Sequence, residues 1–164
     1  MIKPLNEEAS RGISQASIVD KEEAFFDRVR FIHQNMNMDA IVEEYIEGRE
    51  FYITIMGSKR LSVLPPRELV FGDLPEDLRI ATYKAKWDDD YRDRWGIKSV
   101  YAENIPDAVW IELQDACKRA YRALNMKSYL RFDIRVTPDG KVYIIEMNAN
   151  PCIAKIDEVA QSAY

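Results

Sequence analysis

The sequence predicts an α+β fold, an antiparallel sheet with helices packed on it. Three observations carry this. Residues 131–148 are rich in β-formers around Asp139-Gly140, and residues 51–64 read as a second hairpin through Gly57-Ser58-Lys59. Two stretches, about 20–34 and 106–125, repeat apolar residues at helical spacing.

Taken in order, Asp20 followed by Glu23 reads as a capping box before Ala24-Phe25-Phe26. Phe25, Val29 and Ile32 then recur on one face, giving a helix over about 20–34. Residues 41–46 begin apolar and Phe51, Ile53 and Ile55 alternate, so each stretch predicts a strand, with a return through Leu61-Ser62-Val63-Leu64. From Gly72 to Asn104 no period is clean, and charges alternate with Tyr83, Trp87, Tyr91, Trp95 and Tyr101. That stretch predicts a long loop, and loops of this length inside a domain are usually functional or mobile. Pro106 opens a long helix with Val109, Leu113, Ala116 and Ala120 on one face, ending near Asn125. A short helix over about 155–163 closes the chain.

Composition bounds the function. The 164 residues suffice for one sizeable core or two small lobes, and 47% apolar with 31% charged residues is ordinary for a globular protein. The net charge of −5 provides no basic stripe, which argues against nucleic acid as a partner. No apolar run approaches the roughly 20 residues that cross a bilayer, and no signal-peptide pattern opens the chain. No membrane partner is expected, and the cytoplasm is the expected compartment. Cys117 and Cys152 lie far apart, without the spacing of a disulfide framework or a zinc site. Asp88-Asp89-Asp90 lacks EF-hand spacing and is compensated by Lys86, Arg92 and Arg94. His33, late in a helix, reads as structural.

The hairpin at 131–148 carries the chemistry. With Asp139-Gly140 as a two-residue type I′ loop, Asp133 faces Glu146 and Arg131 faces Asn148. One face then presents Arg131, Asp133, Arg135, Ile144, Glu146 and Asn148, and the other presents Phe132, Ile134, Val136, Tyr143, Ile145 and Met147. Two opposed carboxylates beside a carboxamide oxygen form a hard-donor set suited to Mg²⁺ with bound phosphates. Arg131 and Arg135 could equally balance the carboxylates on a solvated charged face. The hairpin alone leaves both readings open.

Asp133, then Glu146-Met147-Asn148 followed by Ala149-Asn150-Pro151, resembles the metal-binding end of the ATP-grasp ligases, most closely the D-alanine–D-alanine ligases. The likeness runs upstream in order. Met1-Ile2-Lys3-Pro4 resembles the strand whose lysine reaches nucleotide phosphates. Glu7-Glu8-Ala9-Ser10-Arg11-Gly12 resembles the loop that closes over them, with Glu8 where glycine is usual. Ile41-Val42-Glu43-Glu44-Tyr45-Ile46 resembles the adenine-holding hinge strand, and Ala85-Lys86-Trp87 resembles the mobile loop with a second phosphate lysine.

The resemblance implies a partial ATP-grasp fold, with 1–46 a remnant of the central ATP-binding subdomain and 47–164 the C-terminal subdomain. It implies ATP held by Lys3, Ser10, Glu43, Tyr45, Ile46, Glu50 (for ribose) and Lys86. Asp133, Glu146 and Asn148 would hold one or two Mg²⁺ ions, with Mn²⁺ able to replace them. Arg131 would be the catalytic group, stabilising the charge of an acyl phosphate. The implied substrates are a small carboxylate and an amine, amino acids among them, and a homodimer is compatible with the family. Residues 72–104 would form the lid. Because the chain opens at the Lys-Pro strand, a C-terminal piece of a longer ligase, inactive alone, is expected. The family's tyrosine after the loop lysine is Trp87 here, its glycine is Cys152, and its second-substrate serine falls near Asp157, so the amino acids stay open. A non-catalytic nucleotide-binding module and a structural domain that binds nothing are the rival readings.

Overall fold

The structure, a computed structural model, describes residues 1–164. The chain divides into two compact units, Met1–Tyr45 with Phe71–Lys98, and Ile46–Val70 with Ser99–Tyr164.

In the first unit, strand β1 (Ile2–Pro4) pairs antiparallel with β2 (Ala40–Val42), with Lys3 opposite Ile41. Helix α1 (Glu22–Phe31) joins them and continues as one wider turn over Ile32–Met36, which Asn37 ends in a left-handed conformation. The capping box expected from Asp20 and Glu23 does not form: Lys21 is the N-cap and no side chain caps the helix. The strand expected over 41–46 stops at Val42.

The stretch expected to be an unstructured loop is largely structured. Helix α2 (Tyr83–Trp87) starts at Thr82, whose hydroxyl accepts from the Ala85 N–H at 3.2 Å. Helix α3 (Asp89–Trp95) starts at Asp88, whose carboxylate accepts from the Tyr91 N–H at 2.9 Å. The charge run thus has a local cause. Asp89 and Asp90 sit in the first turn, Arg92 and Arg94 in the last, the order the helix dipole favours.

The second unit is built on one sheet. Its strands are β3 (Arg49–Gly57), β4 (Leu61–Val63), β5 (Arg67–Val70), β6 (Lys98–Tyr101), β7 (Ser128–Val136) and β8 (Val142–Asn148). They run in the order β6-β5-β3-β7-β8, and β4 pairs with the end of β3. Helix α4 (Asp107–Ala123) covers one face as its periodicity predicts, and a short α5 (Glu158–Gln161) follows near the C-terminus. Leu113, Cys117 and Tyr121 of α4 cluster with Phe51, Ile53, Ile55, Leu130, Phe132, Ile134 and Val136. At about 1.5–3 kcal/mol for each large side chain buried, this layer is the unit's main source of stability. The Tyr121 hydroxyl donates to the Gly57 carbonyl at 2.7 Å, pinning α4 to the β3–β4 turn.

The ligand hairpin reaches the expected pairing by an unexpected route. The turn is not the two-residue type I′ loop. The Gly140 N–H donates to the Thr137 carbonyl at 2.9 Å and the Thr137 N–H to the Lys141 carbonyl at 3.0 Å, a three-residue loop with Gly140 at φ +83°. Pro138 fits the second position of such a turn, and Gly140 supplies the left-handed residue that closes it. Val136 therefore faces Val142, Arg135 faces Tyr143 and Ile134 faces Ile144. A bulge then leaves Ile145 unpaired, which returns Asp133 to Glu146 and Arg131 to Asn148. Relative to expectation, Tyr143 and Ile144 exchange faces, and Arg131, Asp133, Glu146 and Asn148 do not.

Candidate active site

Strands β3 and β7 alternate two chemistries. One side carries the apolar cluster; the other carries Glu50, Tyr52 and Thr54 of β3 beside Arg135, Asp133 and Arg131 of β7, paired in that order. Burial reaches both sides. Glu50, Asp133 and Arg135 are 8%, 5% and 8% exposed, as enclosed as core residues. A solvated charged face is thereby excluded for β3 and β7.

Charges enclosed this far from water need partners, and they have them. Arg131 donates to both Asp133 oxygens, through Nε at 2.7 Å and Nη2 at 3.1 Å, and lies 3.4 Å from Glu158 of α5. Burial opposes the charge on Arg131, but Asp133, Glu158 and Tyr52 outweigh it and hold its pKa above the ordinary value. Arg135 binds Glu50 at 2.6 Å and the Gly48 carbonyl at 3.0 Å. Gly48 has φ +147°, and a Cβ there would sit 2.0 Å from the Val136 carbonyl oxygen, so only glycine lets the two strands meet.

Glu146 and Asn148 lie on the edge strand, more open to solvent than Asp133. The Asn148 carboxamide joins the two acids: its Nδ2 donates to Glu146 at 2.8 Å and lies 3.4 Å from an Asp133 oxygen. Three oxygen-bearing side chains therefore converge. The orientation of a carboxamide is assigned from its bonds, and a half-turn presents Oδ1 to the same point. The set fits a hard divalent cation such as Mg²⁺.

The first unit carries the other expected residues. Lys3 Nζ pairs with Glu43 at 2.6 Å, so two of the expected nucleotide residues meet each other. The Tyr45 hydroxyl donates to the Arg79 carbonyl at 3.4 Å. Ser10 has φ +60°, beside Ala9 at +55°, and the loop turns tightly there through the Ile13 N–H on the Ser10 carbonyl at 3.0 Å. Lys86 lies on α2. The neighbouring Trp87 donates from Nε1 to the Ala9 carbonyl at 2.9 Å, which ties α2 to that loop. Arg28, buried on α1, holds the loop by donating to the Gly12 carbonyl and to the Ser17 hydroxyl. Ile46, half-buried, begins the second unit with Glu50 further along the chain.

Sequence reasoning missed Arg28 and Tyr52. Nothing local distinguishes Arg28 from a solvated helix residue. For Tyr52 a signal existed: it sits two residues from Glu50 in an alternating strand, on the polar side.

Comparison with known proteins gives concordant results. The family model described as D-ala D-ala ligase C-terminus matches residues 1–164. The chain is 29% identical over 163 residues to the D-alanine–D-alanine ligase of Desulfotalea psychrophila, covering 99% of this chain and 47% of that protein. It is 31% identical over 161 residues to the D-alanine–D-alanine ligase of Shouchella clausii, covering 94% and 39%. The crystal structure of the D-alanine–D-alanine ligase from Bacillus anthracis complexed with ATP matches with a TM-score of 0.66 at 20% identity, over 90% of this chain and 42% of that one. That likeness speaks to the fold. The chain spans less than half the length of the curated relatives it matches.

Proposed function

The chain belongs to the D-ala D-ala ligase C-terminus family and has the ATP-grasp fold, and on that premise we propose that it serves an ATP- and Mg²⁺-dependent carboxylate–amine ligase. The observation that carries the proposal is the convergence of Asp133, Glu146 and Asn148 beside a half-buried Arg131. The substrates we assign are amino acids, D-alanine first because the relatives are named for it; Trp87, Cys152 and Asp157 leave the second one open. The compartment proposed is the cytoplasm, where ATP is made available, and no helix is long and apolar enough to cross a membrane.

In this reading a substrate carboxylate oxygen attacks the γ-phosphorus of ATP and ADP leaves. An amine then attacks the carbonyl of the acyl phosphate, and phosphate leaves. Carboxylate and triphosphate are both anionic, so cations must lie where they meet. Asp133, Glu146 and Asn148 would hold Mg²⁺, one ion or two, or Mn²⁺, which supplies that neutralisation when bound. Lys3 exchanges Glu43 for phosphate, and Lys86 and Ser10 bind phosphate oxygens alongside it. Glu43, Tyr45 and Ile46 hold the adenine, and Glu50 accepts from ribose hydroxyls through the lone pairs its present partners leave free. Arg131, whose planar fork stays protonated, holds the charge that develops on the acyl phosphate.

Hydroxylamine trapping tests the proposal. In the whole ligase that this chain serves, with ATP, Mg²⁺ and D-alanine or another amino acid, the acyl phosphate should be captured as a hydroxamate, dependent on all three. Mg²⁺-dependent nucleotide binding with no hydroxamate from any amino acid would favour a non-catalytic nucleotide-binding module instead.

A further inference from the structure

The polar face of β3 and β7 holds a large aromatic side chain with no place in the chemistry above. Tyr52 stands at the centre of β3, 2% exposed, directly opposite Asp133 and two residues from Glu50. Its hydroxyl donates to Glu50 Oε1 at 2.9 Å, while Arg135 takes Oε2 at 2.6 Å. Its ring lies beneath the Arg131 guanidinium, with Cζ 5.0 Å from the ring centroid. Arg131 in turn grips Asp133. The contacts therefore run without a break from Arg135 through Glu50, Tyr52 and Arg131 to Asp133, all within the second unit.

We propose that Tyr52 is the positioning residue of this site, its hydroxyl aiming Glu50 at the ribose and its ring supporting the arginine that clamps the metal-binding Asp133. The inference rests on the proposed function. Packing alone does not require this arrangement. A tyrosine that only filled space would sit among apolar groups, whereas Tyr52 faces two acids and a guanidinium. Burial and the neighbouring Glu50, Asp133 and Glu158 push its pKa well up, so the hydroxyl remains a donor at any physiological pH. A carboxylate held by one partner on each oxygen has a fixed plane, and a fixed plane sets which lone pairs face a ligand. The ring contributes separately, because a guanidinium over an aromatic face is attracted to it without a hydrogen bond.

The two halves of the side chain separate by substitution. Tyr52→Phe keeps the ring and removes the hydroxyl; Tyr52→Leu removes both. Calorimetry would compare three probes on each protein: MgADP, Mg-2′,3′-dideoxy-ADP, and Mn²⁺ alone. Wild type should prefer MgADP over the dideoxy nucleotide, and Tyr52→Phe should erase most of that preference by weakening MgADP about tenfold, the scale of one charge-assisted hydrogen bond. Its Mn²⁺ affinity should match wild type, and only Tyr52→Leu should lose Mn²⁺ binding as well. A merely structural tyrosine would weaken both nucleotides alike. Tyr52→Phe that keeps the ribose preference, or that loses Mn²⁺ binding, overturns the positioning role and leaves the proposed function standing. Wild-type protein that binds no MgADP overturns both.

Discussion

The two faces of the sheet in the second unit share the same strands and differ in everything else. On one side Phe51, Ile53, Phe132 and Ile134 meet α4; on the other, one residue away in each case, Glu50, Tyr52, Asp133 and Arg135 are enclosed to a similar depth. Apolar burial is favourable by itself. Charge burial is not, and even well-paired buried ions are often no more stable than an apolar replacement. The apolar face is explained by folding, whereas the polar face calls for a function. That difference, more than the count of acids, is what supports the polar face as the proposed site.

The largest effect expected from breaking the comparison lies on the apolar side. Phe132→Ala should destabilise by about 4 kcal/mol in denaturant unfolding, the usual cost of emptying a fully buried aromatic position. A loss below about 1 kcal/mol would mean the α4 interface is not the core of the unit. Next comes Arg135→Met, which leaves Glu50 enclosed without its cation and should cost about 3 kcal/mol. Replacing the pair together, Arg135→Met with Glu50→Leu, should recover most of that stability while abolishing nucleotide binding. If the double replacement is as unstable as the single one, the pair serves folding and the two faces do not differ as described.

The smallest effects concern the cysteines. Burial on the α4 face pushes the Cys117 thiol up to about 12 from 9.0. Between those values the unfolded thiol ionises and the folded one does not. Its contribution to stability is therefore complete below pH 9 and declines as pH rises toward 12. The urea midpoint should fall between pH 8 and pH 10.5, and by less in Cys117→Ala; equal falls would place the thiol in contact with water. At neutral pH a thiol reagent should modify only the exposed Cys152 in the native protein, and both cysteines after unfolding.

Much of this was legible in the sequence, unevenly. Helix α4 was, because 17 residues hold several helical periods. Helices α2 and α3 were not, because 5 and 7 residues are too few to show a period; only their caps, Thr82 and Asp88, marked them. The hairpin is the more instructive case. Asp139-Gly140 pointed to a turn of the wrong length, and the bulge at Ile145 had no glycine to announce it. The two one-residue differences cancel at Glu146, so Asp133–Glu146 and Arg131–Asn148 pair as expected while Tyr143 and Ile144 do not. The burial of Glu50, Asp133 and Arg135 was beyond sequence reasoning, since alternation assigns residues to a face but does not say what covers it.

The central claim is that the polar face binds a metal–nucleotide complex, and calorimetry of MgADP on wild type and Glu146→Gln tests it most directly. Glu146 is exposed on the edge strand, so the substitution should move stability by less than about 0.5 kcal/mol. Wild type should bind ADP only with Mg²⁺ present, and Glu146→Gln, equally folded, should lose that binding by at least about tenfold, the scale of one charged ligand. Equal binding by the two proteins, or binding of ADP that ignores the metal, would contradict the account.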